Sequence, residues 1–493
     1  MPLSSSSLPK PRRRTDLIIL LALLIVATVV IFWRLGEGSL SDYDEADYAQ
    51  SAREMLWWND FNTPRWNGME FFDKPPLNMW LTALAYKVFG VNEFGARVVS
   101  ATAGVLVILL TYILGRDLFA SRTIGLGAAL MLLTVSNNLY SHGYNLISLA
   151  RVGQLDMTLI LWMALSVWLA WRSQRSPRAL IWLGVPLGLG LITKSVAGLM
   201  AYGIVALFLL GSGRRSWWRR ETALGILISA AISTPWHVGQ LLIWGRHFWN
   251  SYMVSLTVGY VTGDQGHTRD ALFYLRSIQR GFPILYPLVA AAVVYGIYRL
   301  VRHRDRAALL LLCWTAVPFA LYNVGRSKIG WYMIPIYPAL ALLAMRLLVR
   351  VLRDRLALIV VVAAVLAFNP WLPSARDFNP GVKSAAMYSR YVLGSEDILI
   401  NYFPGSFWIR PSALFYADRP MLLVTSEERL RALLAAADSS SDGQSRGSLY
   451  ILTDWHFWEP VQELGKVVYR SGGYVLAAAQ GGGGPTTGSS ANQ

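Results

Sequence analysis

Residues 281–306 read GFPILYPLVAAAVVYGIYRLVRHRDR. An apolar run long enough to cross ~30 Å of hydrocarbon ends in Arg299, Arg302, Arg304 and Arg306, and this pairing decides the fold. Similar runs predict helices near residues 15–35, 94–115, 123–141, 156–171, 179–193, 196–211, 222–236, 281–301, 307–323, 331–349 and 356–372. Let each cross once from a cytoplasmic N-terminus. The cytoplasmic loops then carry Arg116/Arg122, Arg172/Arg175/Arg178, Arg214/Arg215/Arg219/Arg220, the 299–306 cluster and Arg346/Arg350/Arg353/Arg355. Every second helix ends in a basic loop, as the positive-inside rule requires, and a miscount by one would break the alternation. The expectation is a polytopic α-helical membrane protein with about 11–13 transmembrane helices.

Composition agrees. The chain has 493 residues, 54% of them hydrophobic, with 20 Trp and 23 Tyr; aromatic residues in excess suit interfacial belts. A net charge of +16 would suit a nucleic-acid binder, but the basic residues fall in short clusters between apolar runs, as in loops of membrane proteins. Cys313 is the single cysteine, so no intramolecular disulfide can form, and CxxC or Cys/His zinc patterns are absent. Lys10, Arg12, Arg13 and Arg14 precede an apolar run too long for a signal peptide and without a small-residue cleavage site. Residues 1–14 are therefore expected as a cytoplasmic basic N-terminus and the run as a retained first helix.

The same topology predicts a membrane domain over 15–373 whose longer loops, 36–93, 140–155, 237–280 and 324–331, share the extracytoplasmic face. Over 374–480 the apolar runs shorten to strand length at Ile398–Tyr402, Met421–Val424, Leu449–Leu452 and Val467–Tyr469, and Thr425 with Glu428 reads as a capping box. This predicts a small extracytoplasmic α/β domain. The Gly/Ser/Thr-rich tail 481–493 is expected to be disordered.

Charge is scarce in the membrane domain, and only Asp117, Asp156 and Glu221 are acidic between Ala96 and Gly263. Ionisable groups near lipid are costly to keep and mark functional sites by default. Asp44 and Glu45 open a segment in which Tyr48, Ala52 and Met55 form an apolar helical face that could lie on the membrane. A carboxylate there can act as general base on a hydroxyl; a helix cap with a solvated acidic face is the plain alternative. In FFDKPPL, residues 71–77, two prolines stiffen the chain after Asp73 and Lys74. Lys74 there suits a phosphate as a point charge, or is an interfacial anchor. Asp156 opens the fourth helix, where a helix N-terminus favours it, and Lys194 sits at a short outer turn, where a lysine can snorkel. His267, Arg269, Lys328 and Tyr332 fall in outer loops, each with an ordinary structural reading as well.

The order of these residues resembles the GT-C glycosyltransferases of the protein O-mannosyltransferase superfamily, in particular the lipid A aminoarabinose transferase branch (glycosyltransferase family 39/83-like). The likeness runs through about residues 15–350. It is carried by YDEADYAQSAREML from Tyr43, NTPRWNGMEFFDKPPLNMWLTALAYKVFGVNEFGARV from Asn62, RVGQLDMTL from Arg151, LITKSVAGL from Leu191 and SKIGWYMIPIYPALALL from Ser327. The resemblance implies a donor sugar on a polyprenyl phosphate, an extracytoplasmic acceptor (a cell-envelope glycan, lipid or protein) and an active site on the outer face of the inner or plasma membrane. It gives Asp44 as the acid that activates the acceptor, Asp156 as a second carboxylate, Lys74 as the phosphate contact and Tyr332 as a donor-cavity residue. Arg269 and Lys328 would assist with the phosphate. Asp73 stands where the relatives often have Glu, and with His267 it could form a metal site like that of the aminoarabinose branch, but two ligands are too few to assign a metal. Asp47 stands where that branch commonly has Arg, which speaks against that one substrate. A protein O-mannosyltransferase is the alternative within the class. A transporter or lipid flippase would need charges deep in the helices and repeated halves; neither pattern is present. No P-loop or GxGxxG context calls for a nucleotide.

Overall fold

The computed structural model describes residues 13–134, 145–213, 219–262, 268–283, 285–368, 372–375, 377–405, 409–439 and 447–479. The expected N-terminal block, the tail 481–493 and His267 lie outside them. The chain divides into two compact units, one of Met1–Leu35, Phe72–Ala85 and Arg97–Ser374, the other of Gly36–Phe71, Tyr86–Ala96 and Ala375–Gln493. Most of the expected outer loop 36–93 thus groups with the C-terminal residues. Its polar, turn-rich sequence makes hydrogen bonds to that unit's backbone, among them both polar atoms of the Asn67 side chain with Met421 N and O, each at 2.9 Å.

The first unit is a helical membrane bundle. Among the described residues five helices are long and apolar enough to cross a bilayer: Arg14–Phe32, Glu93–Phe119, Ala179–Gly211, Arg220–Ser255 and Arg306–Val324. Asp156–Arg172 and Tyr286–His303 are further apolar helices. The two helices predicted over 179–211 form one hydrogen-bonded stretch broken at Lys194 (φ −149°, ψ 53°) and Ser195 (φ 26°, ψ −114°). The chain reverses there. A Cβ on Gly198 would lie 2.6 Å from Gly190 O, so two glycines let the arms of the hairpin touch. A second break, at Arg353, falls between the helices predicted over 331–349 and 356–372.

The predicted loop 237–280 is largely helical instead. The helix Arg220–Phe248 continues through Pro235, a π-helical turn follows over Trp249–Ser255, and Leu256–Thr262 and Phe273–Gly281 are α-helical. The helix expected to end at residue 236 runs on, since neighbouring polar groups can re-satisfy the backbone around Pro235 in a membrane helix. Here His237 Nδ1 lies 2.7 Å from Ser233 O. Leu77–Phe89 is a helix within the span read as loop.

Small residues set the helix spacing. A Cβ on Gly184 would meet Gly225 O at 2.1 Å, and one on Gly225 would meet Leu180 O at 2.2 Å; backbone-to-backbone approach of this kind is how membrane helices pack without a hydrophobic driving force. Asp305, which caps the helix Arg306–Val324 through Ala307 N and Ala308 N, also takes hydrogen bonds from Arg299 and Arg346. Burial alone would raise its carboxyl; the bonds from Arg346, Ala308 N and Arg299 outweigh that and hold it at about 2. One carboxylate thereby ties three helices.

The second unit contains the predicted α/β fold. Its five-stranded sheet runs Met421–Val424, Ile398–Tyr402, Leu449–Asp454, Tyr474–Ala479, Gly465–Ser471. The first three strands are parallel, and the last two are antiparallel to their neighbours. Ile400, Val424, Leu430, Ile451, Trp458 and Val475 form its core. The strand Tyr474–Ala479 was not read from sequence; Gly472 and Gly473, both at positive φ, make the two-residue turn that returns it onto Gly465–Ser471. The helix Glu427–Ser439 is capped by Ser426, whose Oγ accepts from Arg429 N at 3.3 Å, and not by Thr425.

The glycine packing is testable. A Cβ at residue 225 has only backbone to displace, so Gly225→Ala should cost roughly 1–3 kcal/mol in detergent unfolding. Gly239 lies in the same helix, and a Cβ placed there would have no neighbour within 4 Å; Gly239→Ala should be neutral or stabilising by up to about 1 kcal/mol.

Candidate functional site

In the membrane unit the sequence-predicted charges fall into two pairs joined by aromatic packing. Asp156 occupies the first turn of Asp156–Arg172 and is buried. Lys194, at the hairpin reversal, places Nζ 2.7 Å from Asp156 Oδ1, with side chains only 10% and 2% exposed. The snorkelling expected of Lys194 does not occur: the break in the helix turns its ammonium inward. The same ammonium lies 4.7 Å from the centre of the Tyr332 ring, a cation–π distance, and Tyr332 stacks on Tyr322 at 4.5 Å. Asp156, Lys194 and Tyr332, far apart in sequence, are therefore one cluster.

The second pair is Lys74 with Asp73, Nζ to Oδ2 2.8 Å and Nζ to the Asp73 carbonyl 3.1 Å. An ammonium has three N–H bonds; among the described residues Asp73 takes two. Phe72 anchors this segment by packing its ring 5.1 Å from Phe248, in a cluster with Ile192, Trp236 and Tyr252. Tyr252 lies in the π-helical turn. Its hydroxyl is 2.8 Å from His237 Nε2. Ser195 is strained at φ 26°, and such strain persists only where neighbours over-determine it. Neither Tyr252 nor His237 was singled out from sequence. A π-helical turn leaves no periodicity signal, and aromatic residues are common in this chain.

The other phosphate candidates have partners of their own. Lys328 is buried, donates to Asp270 O at 3.1 Å and faces the Tyr274 ring at 5.7 Å. Arg269 is exposed and donates to Thr268 O at 3.0 Å; an isolated bridge between Thr268 and Ser327 links their segments. Among the described residues no three His, Cys, Asp or Glu side chains are placed to hold a metal ion, and Asp73, one of the two metal candidates, is paired with Lys74.

Asp44 and Glu45 belong to the second unit. The helix Asp44–Trp57 forms as the spacing predicts, but Tyr48, Ala52 and Met55 are 2%, 0% and 1% exposed. The apolar face is covered by protein rather than laid on lipid. Tyr43 ahead of it has φ 65° and ψ −131°, a strained conformation for a non-glycine residue, and it turns the chain sharply into the helix. Glu45 is fully buried and accepts from Ser41 N at 2.8 Å. It closes the helix start and is sealed from any acceptor. Asp44 is only partly buried, and its Oδ1 accepts from the Tyr48 hydroxyl at 3.2 Å.

Comparison with known proteins agrees with this fold. Residues 73–238 match the family described as dolichyl-phosphate-mannose-protein mannosyltransferase, a segment holding both the Asp73–Lys74 and the Asp156–Lys194 pairs. The undecaprenyl phosphate-alpha-4-amino-4-deoxy-L-arabinose arabinosyl transferase of Pseudomonas paraeruginosa is 31% identical over 330 residues, covering 64% of this chain and 57% of the relative. That of Pseudomonas aeruginosa is 30% identical over 331 residues, covering 63% and 56%. The chain thus spans a little over half the length of these curated relatives. The crystal structure of ArnT from Cupriavidus metallidurans bound to undecaprenyl phosphate matches with a TM-score of 0.72 at 20% identity, over 96% of this chain and 100% of that one. The Archaeoglobus fulgidus oligosaccharyltransferase AglB, in complex with an inhibitory peptide and a dolichol-phosphate, matches at 0.56 and 14% identity over 95% and 74%. The fold is that of the GT-C membrane glycosyltransferases, a multi-pass class.

The buried pair gives a stability test. Lys194→Ala strands the Asp156 carboxylate in the bundle and should cost about 3–5 kcal/mol, whereas the double change Lys194→Met with Asp156→Leu should recover most of it. The partly exposed Lys74–Asp73 pair should contribute no more than about 1 kcal/mol. Unfolding in detergent of Lys194→Ala, Lys74→Ala, Asp73→Ala and the double variant checks both statements.

Proposed function

We propose that the protein is a glycosyltransferase that moves a sugar from a polyprenyl phosphate to a hydroxyl of an extracytoplasmic acceptor. The observation that carries the reading is the matched segment 73–238, because it contains both the Asp73–Lys74 and the Asp156–Lys194 pairs. Relatives similar over 330 residues are named as transferases of a sugar from undecaprenyl phosphate, and this supports the donor class. The active site faces the outside of the inner or plasma membrane, the side to which the basic loops do not belong.

In this reading the acceptor oxygen attacks the anomeric carbon while the bond from that carbon to the phosphate oxygen breaks. The polyprenyl phosphate departs with the bonding pair. Lys74 neutralises the leaving phosphate through the N–H that Asp73 does not take. Lys194 and Tyr332 line the donor side, with Asp156 holding the ammonium in place. Asp44 takes the acceptor proton; Glu45 is assigned to holding the helix start. Arg269 and Lys328 are helpers for the phosphate.

A panel of labelled polyprenyl-phosphate sugars with purified protein tests the donor class: transfer or slow hydrolysis is the expected result, and inertness towards every polyprenyl-phosphate sugar counts against it. With the sugar identified, Asp44→Asn should lower turnover on the order of 10²-fold or more and leave donor binding intact. Lys74→Ala should weaken donor binding about ten- to a hundredfold, as for loss of a charge-assisted contact of about 1.5–3 kcal/mol, with Lys74→Arg recovering part.

Orientation has its own test. In a Cys313→Ser background, Asn62→Cys should react with an impermeant thiol reagent in sealed cells, and Arg304→Cys only after lysis. The reverse pattern would sink the assigned orientation.

A further inference from the structure

The C-terminal α/β domain has no role in the reading above, yet it holds the start of the acidic helix from several directions. Asp42, two residues ahead of Asp44, accepts from Arg410 Nη1 at 3.2 Å, from Ser412 N at 3.1 Å and from the Ser412 hydroxyl. Arg410 is itself gripped: its guanidinium lies 5.3 Å from the Phe403 ring centre and 5.1 Å from that of Tyr474. Phe403 directly follows the strand Ile398–Tyr402, and Tyr474 opens the strand Tyr474–Ala479. The anchor is therefore mounted on the ends of two sheet strands rather than on a loop tip. Further along the acidic helix, Arg53 is 2% exposed, donates to Phe415 O and pairs with Asp418 at 3.2 Å.

This arrangement has a consequence for Tyr43. Its φ of 65° is strained for a non-glycine residue and needs fixed groups on both sides. Asp42 is fixed on one side by the domain and the helix on the other. We propose that Asp42 and Arg410 are positioning residues: the C-terminal domain uses their ion pair to set the strained turn at Tyr43 and, through it, the direction of the Asp44 carboxylate. The proposal rests on the reading of Asp44 as the base.

The experiment compares Asp44→Asn, Asp42→Asn, Arg410→Met and Arg410→Lys. Arg410→Met should lower kcat on the order of ten- to a hundredfold, the scale of a misplaced catalytic group, with donor affinity unchanged. Arg410→Lys should regain part, since it keeps the charge and loses the planar stacking. Asp42→Asn is nearly isosteric and keeps an oxygen for Ser412 N–H, so it carries the test if Arg410→Met does not fold; its kcat should fall in the same direction. Amide hydrogen exchange over 43–57 should rise in Arg410→Met and Asp42→Asn and stay at wild-type protection in Asp44→Asn. Normal turnover by Asp44→Asn removes the base reading, and the proposal with it. Loss of turnover in Asp44→Asn beside wild-type turnover and exchange in Asp42→Asn and Arg410→Met removes the proposal alone.

Discussion

The ion pair between Lys194 and Asp156 is the constraint on which the membrane unit is arranged. A lysine in an apolar bundle must reach water or find an opposite charge. At 2.7 Å from Asp156 it has found one, and that choice fixes much else. The helix hairpin must reverse where the ammonium can turn inward, which puts the strain on Ser195 and brings Gly198 against Gly190. Tyr252 packs in one cluster with Ile192, just ahead of the reversal, and bonds to His237, so the π-helical turn is tied to the reversal. Tyr332 closes the other side of the ammonium. A cation held this way has little freedom to reorient.

The parts of this fold legible in the sequence are those that lipid dictates. The apolar runs, the alternation of basic loops and the interruption at Thr193–Lys194–Ser195 all follow from the cost of exposing backbone or charge to hydrocarbon. The strands at Ile398–Tyr402 and Met421–Val424 were legible for the ordinary reason that β-branched and aromatic runs end in turns. Pairing between distant charges was not. Lys194 and Asp156 are 38 residues apart, and nothing in either local sequence names the other. The helical character of 237–262 was hidden by Pro235, which is a breaker in water and tolerated in a membrane bundle. Asn67–Gly68 carried a hairpin signal for the short strands Arg65–Trp66 and Met69–Glu70, and it went unread inside a segment taken as loop.

Among the acids, sequence could not separate Asp44 from Glu45, since adjacent residues differ only in which way the helix turns them. The structure separates them by burial. Glu45 is spent on Ser41 N, as a carboxylate at a helix start often is, while Asp44 keeps partial access and one tyrosine hydroxyl. The residue that closes the helix and the residue that keeps partial access are neighbours because the same sharp turn at Tyr43 serves both.

The C-terminal domain resisted reading by likeness, and its contacts give a physical reason. Part of what it offers the acidic helix and the hairpin is backbone. Arg53 donates to the carbonyl of Phe415, Asn67 pairs with the N–H and carbonyl of Met421, and the domain's own Arg390 braces the same segment through the carbonyl of Tyr416. A backbone partner makes no demand on the side chain that carries it, so such a domain can hold a helix in place with few identities fixed. The exceptions are the contacts made through side chains at both ends, chief among them Asp42 with Arg410. In a scaffold built this way, a side-chain pair is where geometry becomes dependent on sequence, and that is why the turn into Asp44 is more exposed to mutation than the sheet that supports it.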